Sequence, residues 1–170
     1  SRDLELGAVD VLPDGELESR LAEGKPLRVK LGIDPTAPDI HLGHVVVLEK
    51  LRQFQAAGHT VVLIVGDYTG RVGDPSGRSV LRPELSDSEI DANARTFQEQ
   101  AFKVLDADLT EVRFNSEWLD MPSAELFGLA RRFTVARLLE RDDFTNRMVA
   151  EQPISLLELL SPVLQGYDSV

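Results

Sequence analysis

Two of the three histidines in this chain share one tetrapeptide, His41-Leu42-Gly43-His44. It follows an alternating apolar stretch and a proline-rich turn, and it is expected to open a helix. The first turn of a helix offers unpaired N–H groups and a positive dipole end, an arrangement suited to anions. Gly43 lets a flat group approach the backbone with no Cβ in the way. Imidazoles three residues apart face the same side and can donate to phosphate oxygens as negative charge develops. On its own the pair reads equally well as one surface and one core histidine that fall near each other. A zinc site fits less well, because the helical zinc pair is spaced by four residues and carries a glutamate.

A second candidate is Gly66-Asp67-Tyr68-Thr69-Gly70-Arg71-Val72-Gly73-Asp74-Pro75-Ser76-Gly77-Arg78. Its glycines predict a tight, partly left-handed path at a strand end. An acid on such a path can hold an ammonium group, and Arg78 and Arg82 suit phosphates. The competing reading is a plain surface loop. The third candidate lies in the last helical stretch. Leu156, Leu160 and Leu164 form an apolar stripe there, while Ser161, Gln165 and Asp168 fall at i, i+4 and i+7 on a second face. That polar face is either the wet side of the helix or the wall of a site.

The elements that must position these residues alternate along the chain. Residues 14–24 predict a short helix with Leu17 and Leu21 inward. Residues 27–33 alternate with period two and predict a strand. A proline-rich turn covers 34–39. A helix runs from His41 or Leu42 to Ala57, with Val47, Leu51 and Phe54 on its inner face and Gly58 as its stop. Val61 to Val65 is apolar throughout and reads as a strand buried on both faces. Gly66 to Pro83 is expected to be a glycine-rich loop. Ser86 caps a helix reaching about Val104, with Glu89 completing a capping box. Glu111 to Asn115 is a third strand, followed by helices near 122–132, 134–141 and 154–169. Strands alternating with helices predict an α/β fold, a doubly wound parallel sheet with helices on both faces. In that fold ligands bind beyond the carboxyl ends of the strands, where Asp34, His41, Thr69 and Asn115 are expected to lie.

Composition narrows the classes. With 170 residues, no cysteine and a formal net charge of −11, the chain has no disulfide or thiolate–zinc chemistry. So acidic a chain has little general affinity for nucleic acid, which draws on Lys and Arg to neutralise phosphate. No stretch approaches the roughly 18 apolar residues of a membrane helix. No signal-peptide core follows the start, and a cytoplasmic protein is expected.

The segment Ile33-Asp34-Pro35-Thr36-Ala37-Pro38-Asp39-Ile40-His41-Leu42-Gly43-His44 resembles the first signature of class I aminoacyl-tRNA synthetases, with the lead-in of the tyrosyl enzymes. Leu164-Gln165-Gly166-Tyr167-Asp168 is similar to a second tyrosyl signature. The resemblance runs from about Val29 to Val170 and implies a Rossmann-like, HUP-type nucleotide-binding fold. It implies activation of L-tyrosine with ATP, accompanied by Mg2+, and transfer to tRNA(Tyr) by a homodimer. By the same resemblance Thr36, His41 and His44 contact the ATP phosphates, Gly43 leaves room for adenine, and Asp34 belongs to the ATP signature. Thr69, Asp74 and Gln165 bind the amino end of tyrosine, Asp168 accepts its hydroxyl, and Asn115 borders the pocket. Arg78 and Arg82 meet the departing pyrophosphate. Trp118 and Phe114 are read as core, and Arg131 to Arg137 as part of the dimer contact.

That resemblance divides the chain into a helical lead-in (1–25), a Rossmann-like half (26–115), a helical connective and dimer segment (116–153) and a tyrosine-pocket helix (154–170). A lysine-rich second signature and an anticodon-binding domain are expected beyond Val170, and with them most of the tRNA contacts. The chain departs from the family pattern at Ser161, where a tyrosine is usual, and at Lys30 and Leu31, where one branch has tyrosine and cysteine. Two other readings stay open: a different nucleotidyltransferase of the superfamily, and a non-catalytic synthetase-like binding module.

Overall fold

The strand Thr60–Val65 (β2) carries only apolar residues after its first, four of them β-branched, and five of its six residues are buried. Such a strand needs cover on both faces, and this requirement organises the rest. The computed structural model describes residues 2–35, 42–72 and 86–170. Arg28–Ile33 (β1) and Thr110–Phe114 (β3) flank β2, all three parallel, in the order β1-β2-β3. The register sets Leu31, Leu63 and Val112 side by side on one face and Lys30, Val62 and Glu111 on the other.

The first face is the core. Val29, Leu31 and Ile33 of β1 join Val61 and Leu63 beneath two crossover helices, Leu42–Ala56 (α3) and Asp87–Ala101 (α5). In α5 the buried residues Ile90, Ala94, Phe97 and Ala101 follow the helical period. Ser86 and Glu89 close the expected capping box, and α5 stops at Ala101 rather than near Val104. In α3 the inner face differs from expectation: Val47 is 43% exposed and Leu48 is 1% exposed. Leu51 and Phe54 do face inward. Three consecutive valines leave the face of α3 undecided by pattern, and the position of Leu48 over Val61 and Leu63 decides it. Gly58 ends the segment in a left-handed conformation at φ 88°, as a helix stop should.

Two short helices, Arg2–Glu5 (α1) and Glu16–Ala22 (α2), precede the sheet. Lys50 Nζ fastens this lead-in to α3 by donating to the carbonyls of Leu4 (3.2 Å) and Leu6 (2.7 Å). The expected loop after β2 begins instead as a helix, Asp67–Val72 (α4). Neither Gly66 nor Gly70 takes a positive φ. Gly66 leaves room for the site: a Cβ there would lie 2.1 Å from Asp34 Oδ1 and 2.5 Å from Thr69 Oγ1 and would displace that pair. The remainder of that stretch, Gly73 onward, lies outside the described residues, as does the turn from Thr36 to His41.

After β3 come Ser116–Leu119 (α6), Ser123–Ala130 (α7), Val135–Leu138 (α8), Asp142–Val149 (α9) and Leu156–Tyr167 (α10). The pattern did not predict α6 or α9. α9 has one buried apolar residue, Phe144, and acids in its first turn, too little for a period to show. The apolar stripe of α10 also shifts. Leu156 is 73% exposed, and Val163 and Leu164 are the apolar residues buried. Among the described residues no helix is long and apolar enough to cross a membrane.

Candidate active site

The second face of the sheet is where chemistry gathers. On β1 the outward residues are Arg28, Lys30 and Gly32, and Ile64 lies beside Gly32 on β2. Across from them stands α10, presenting Ser161, Gln165 and Asp168. Between the two lies a cavity of about 290 Å³, closed at the carboxyl ends of the strands by Asp34, Thr69 and Asn115. Gly32 gives it depth, because a Cβ at that position would meet nothing within 4 Å. The cavity therefore joins the strand ends, where a site was expected, to a flank of the sheet that strand alternation alone did not mark.

Asn115 anchors the closed end. It is 1% exposed, and its side chain accepts from Tyr68 N–H at 3.0 Å and donates to Thr69 Oγ1 at 3.2 Å. Thr69 Oγ1 in turn donates to Asp34 Oδ1 at 2.8 Å. The direction of each bond fixes the next: the Asn115 amide fills an acceptor position on the threonine hydroxyl, so its proton goes to the carboxylate. Asp67, also buried, accepts from Ser116 N–H at 3.0 Å. These bonds tie the turn after β2 to the turn after β3 and leave the cavity floor little freedom.

The flank is set by Asp168, the residue that ends α10. Trp118 Nε1 donates to its Oδ1 at 2.8 Å. Burial pushes the Asp168 carboxyl above the ordinary aspartate range, and the Trp118 hydrogen bond, the Lys30 charge and Asn115 offset this only in part. The site thus holds a half-buried carboxylate that gains from one more hydrogen-bond donor. Trp118, read from sequence as core, is half-buried and serves as a partner of the site. The available signal was chemical, since a half-buried indole N–H needs an acceptor.

Of the sequence candidates, Asp34, Thr69, Asn115, Gln165 and Asp168 line one cavity. Gly43 and His44 lie in the first turn of α3, and the His44 ring stands edge-on to Phe97 at 6.1 Å. Thr36, His41, Asp74, Arg78 and Arg82 fall outside the described residues.

A family profile described as "tRNA synthetases class I (W and Y)" matches residues 22–170. The chain belongs to this family. Among curated class I synthetases, it is 56% identical over 168 residues to a tyrosine–tRNA ligase of Xylella fastidiosa, covering 98% of this chain and 40% of that one. A tyrosine–tRNA ligase of Moorella thermoacetica is 56% identical over 174 residues, covering 99% and 42%. The chain spans about 40% of the length of these curated relatives. A C-terminally truncated mitochondrial tyrosyl-tRNA synthetase of Aspergillus nidulans superposes with a TM-score of 0.72 at 26% identity, covering 91% of this chain and 48% of its own. Tyrosyl-tRNA synthetase of Archaeoglobus fulgidus, solved with L-tyrosine, gives 0.71 at 20% identity, with 98% and 51% covered. The class I synthetase fold is thus the fold of this chain, a parallel α/β sheet with helices on both faces.

Proposed function

We propose that the chain supplies the tyrosine pocket and part of the ATP site of a tyrosine–tRNA ligase. The observation that carries this reading is the cavity between the sheet and α10, with a half-buried, under-compensated carboxylate at its flank. A phenolic hydroxyl donating to Asp168 fits that environment better than water, because the low local dielectric strengthens the bond. At the other end Thr69 and Gln165, with Asp74, hold the amino group of tyrosine, while Asn115 keeps Thr69 in place.

Activation needs no enzyme nucleophile. A carboxylate oxygen of tyrosine attacks the α-phosphorus of ATP, a P–O bond forms, the bond to the β-phosphate breaks, and pyrophosphate leaves. Catalysis then rests on position and charge stabilisation. Thr36, His41 and His44 contact the phosphates, Gly43 admits adenine, Asp34 belongs to the ATP site, and Arg78 and Arg82 stabilise pyrophosphate. Mg2+ enters with ATP and neutralises phosphate charge. Transfer to tRNA(Tyr), a cytoplasmic location and a homodimeric assembly complete the reading, with tRNA contacts mostly outside these residues. Residues 1–25, 26–115, 116–153 and 154–170 serve as lead-in, nucleotide-binding half, connective and dimer segment, and pocket helix.

The test is calorimetric titration of L-tyrosine, L-phenylalanine and L-tryptophan, with Asp168→Ala as control. Binding of tyrosine that neither other amino acid matches, and that the substitution removes, supports the reading. Equal binding of all three in a folded protein would overturn it and favour a different nucleotidyltransferase or a non-catalytic module.

A further inference from the structure

Past the end of β1 the chain leaves the sheet, and side chains from other elements hold it there. The last backbone bond to β1 is Gly66 N–H donating to the Ile33 carbonyl at 2.7 Å. One residue on, Asp34 Oδ1 accepts from Thr69 Oγ1 at 2.8 Å. Pro35 follows, buried, and as a proline it has no N–H to offer. Its carbonyl is its one backbone polar group, and Asn93 Nδ2 of α5 donates to it at 3.0 Å.

Asn93 lies between Ile90 and Phe97 on one face of α5. Ile90, fully buried, sits beside Pro35 and Gly70: a Cβ on Gly70 would lie 3.8 Å from Pro35 Cδ and 3.9 Å from Ile90 Cδ1. Phe97 meets the ring of His44 in the first turn of α3. One face of α5 thus touches the chain on both sides of residues 36–41, at Pro35 and at His44. Asparagine does little for a helix interior by itself, since its amide competes with the backbone for hydrogen bonds. At position 93 the amide serves the neighbouring strand end instead.

We propose that Asn93 is a positioning residue of the ATP site, acting through the Pro35 carbonyl on the strand end that carries Asp34. The inference rests on the reading of the chain as part of a tyrosine–tRNA ligase. Without the amide, the carbonyl of a buried residue loses its donor and the strand end shifts to find another. The tyrosine side has a separate hold, because Asn115 Nδ2 donates to Thr69 Oγ1 at 3.2 Å. Loss of the Asn93 bond therefore loosens the ATP side and leaves the tyrosine side in place.

The test uses the protein at its full natural length. It measures tyrosine-dependent exchange of pyrophosphate into ATP, and calorimetric titration of L-tyrosine, which also counts the folded sites. Asn93→Leu and Asn93→Asp each remove the donor, the second with little change of shape. Both are expected to lower kcat/KM for ATP about tenfold per folded site, with the Kd of L-tyrosine within about twofold of wild type. Asn93→Gln, which keeps the amide donor, should recover part of the loss. Thr96→Ala removes a hydroxyl bonded to Ala92 of the same helix and should leave exchange unchanged. A merely structural asparagine would lower the melting temperature and the number of folded sites, with kcat/KM per site unchanged. That result, or an equal loss of tyrosine affinity, overturns the proposal and leaves the tyrosine pocket standing. Unchanged exchange in Asn93→Asp decides against it even if Asn93→Leu fails to fold. A wild-type protein without tyrosine-dependent exchange overturns the functional reading and this inference with it.

Discussion

The two ends of α10 each hold a carboxylate away from water, and they treat it in opposite ways. Glu158, 5% exposed, receives the Arg147 guanidinium and caps its own helix through Ser155. Arg147 and these bonds hold its carboxyl below the ordinary glutamate range. Asp168 has the Trp118 indole N–H and the Asn115 side chain beside it but no directly bonded cation among the described residues, and burial pushes its carboxyl up. A carboxylate that only holds structure is fully compensated. One left short of compensation keeps bonding capacity for a ligand, at a cost to the fold.

The largest effect should come from removing the under-compensated group. Asp168→Ala is expected to reduce the preference for tyrosine over phenylalanine roughly a hundredfold, read by calorimetry. A preference that survives would show that the two ends of α10 do not differ in function. Next is Gly32→Val. Its backbone is unstrained and nothing lies within 4 Å of the new Cβ, so the melting temperature should hold or rise while tyrosine binding is lost. A large fall in stability would refute the open cavity. Arg147→Met should do the reverse, lowering the melting temperature clearly because Glu158 is left buried without its cation, with a smaller effect on the tyrosine-to-phenylalanine ratio.

The subtlest contrast lies in pH. The lowered Glu158 contributes stability that is present above its unfolded value and lost as pH falls through the folded one. The raised Asp168 contributes stability that is full below its unfolded value and lost as pH rises through the folded one. Urea melts from neutral pH to about pH 4 should therefore show Glu158→Gln less stable than wild type at neutral pH, with the gap closing in acid. Asp168→Asn should be at least as stable as wild type at neutral pH, and that advantage should shrink in acid. Matching pH profiles for the two variants would dissolve the comparison.

Much of the frame was legible in the sequence because it is written locally. The alternation of 27–33, the apolar run of 61–65 and the Ser86–Glu89 box each need only their own neighbours, and all three are present in the fold. What escaped depends on distant partners. The burial of Leu48 rather than Val47 follows from what lies beneath α3. The exposure of Leu156 follows from how α10 meets the sheet, and α9 is held by Phe144 and the Arg147–Glu158 pair rather than by a stripe of its own. Within the site, Asp34, Thr69 and Asn115 were readable as strand-end residues, and Gln165 and Asp168 as one helix face. The Trp118–Asp168 bond joins residues of two elements far apart in sequence, and no periodicity announces it.

The alternation of β1 has an evolutionary consequence. Its odd-numbered residues, 29, 31 and 33, belong to the core, and its even-numbered residues, 28, 30 and 32, face the cavities. Single replacements at the even positions can alter what the pocket admits while leaving the core untouched. A one-residue insertion or deletion would exchange the two sets at once. Change in the pocket without repacking of the core is therefore open to substitution at positions 28, 30 and 32 and closed to a change in the length of this strand.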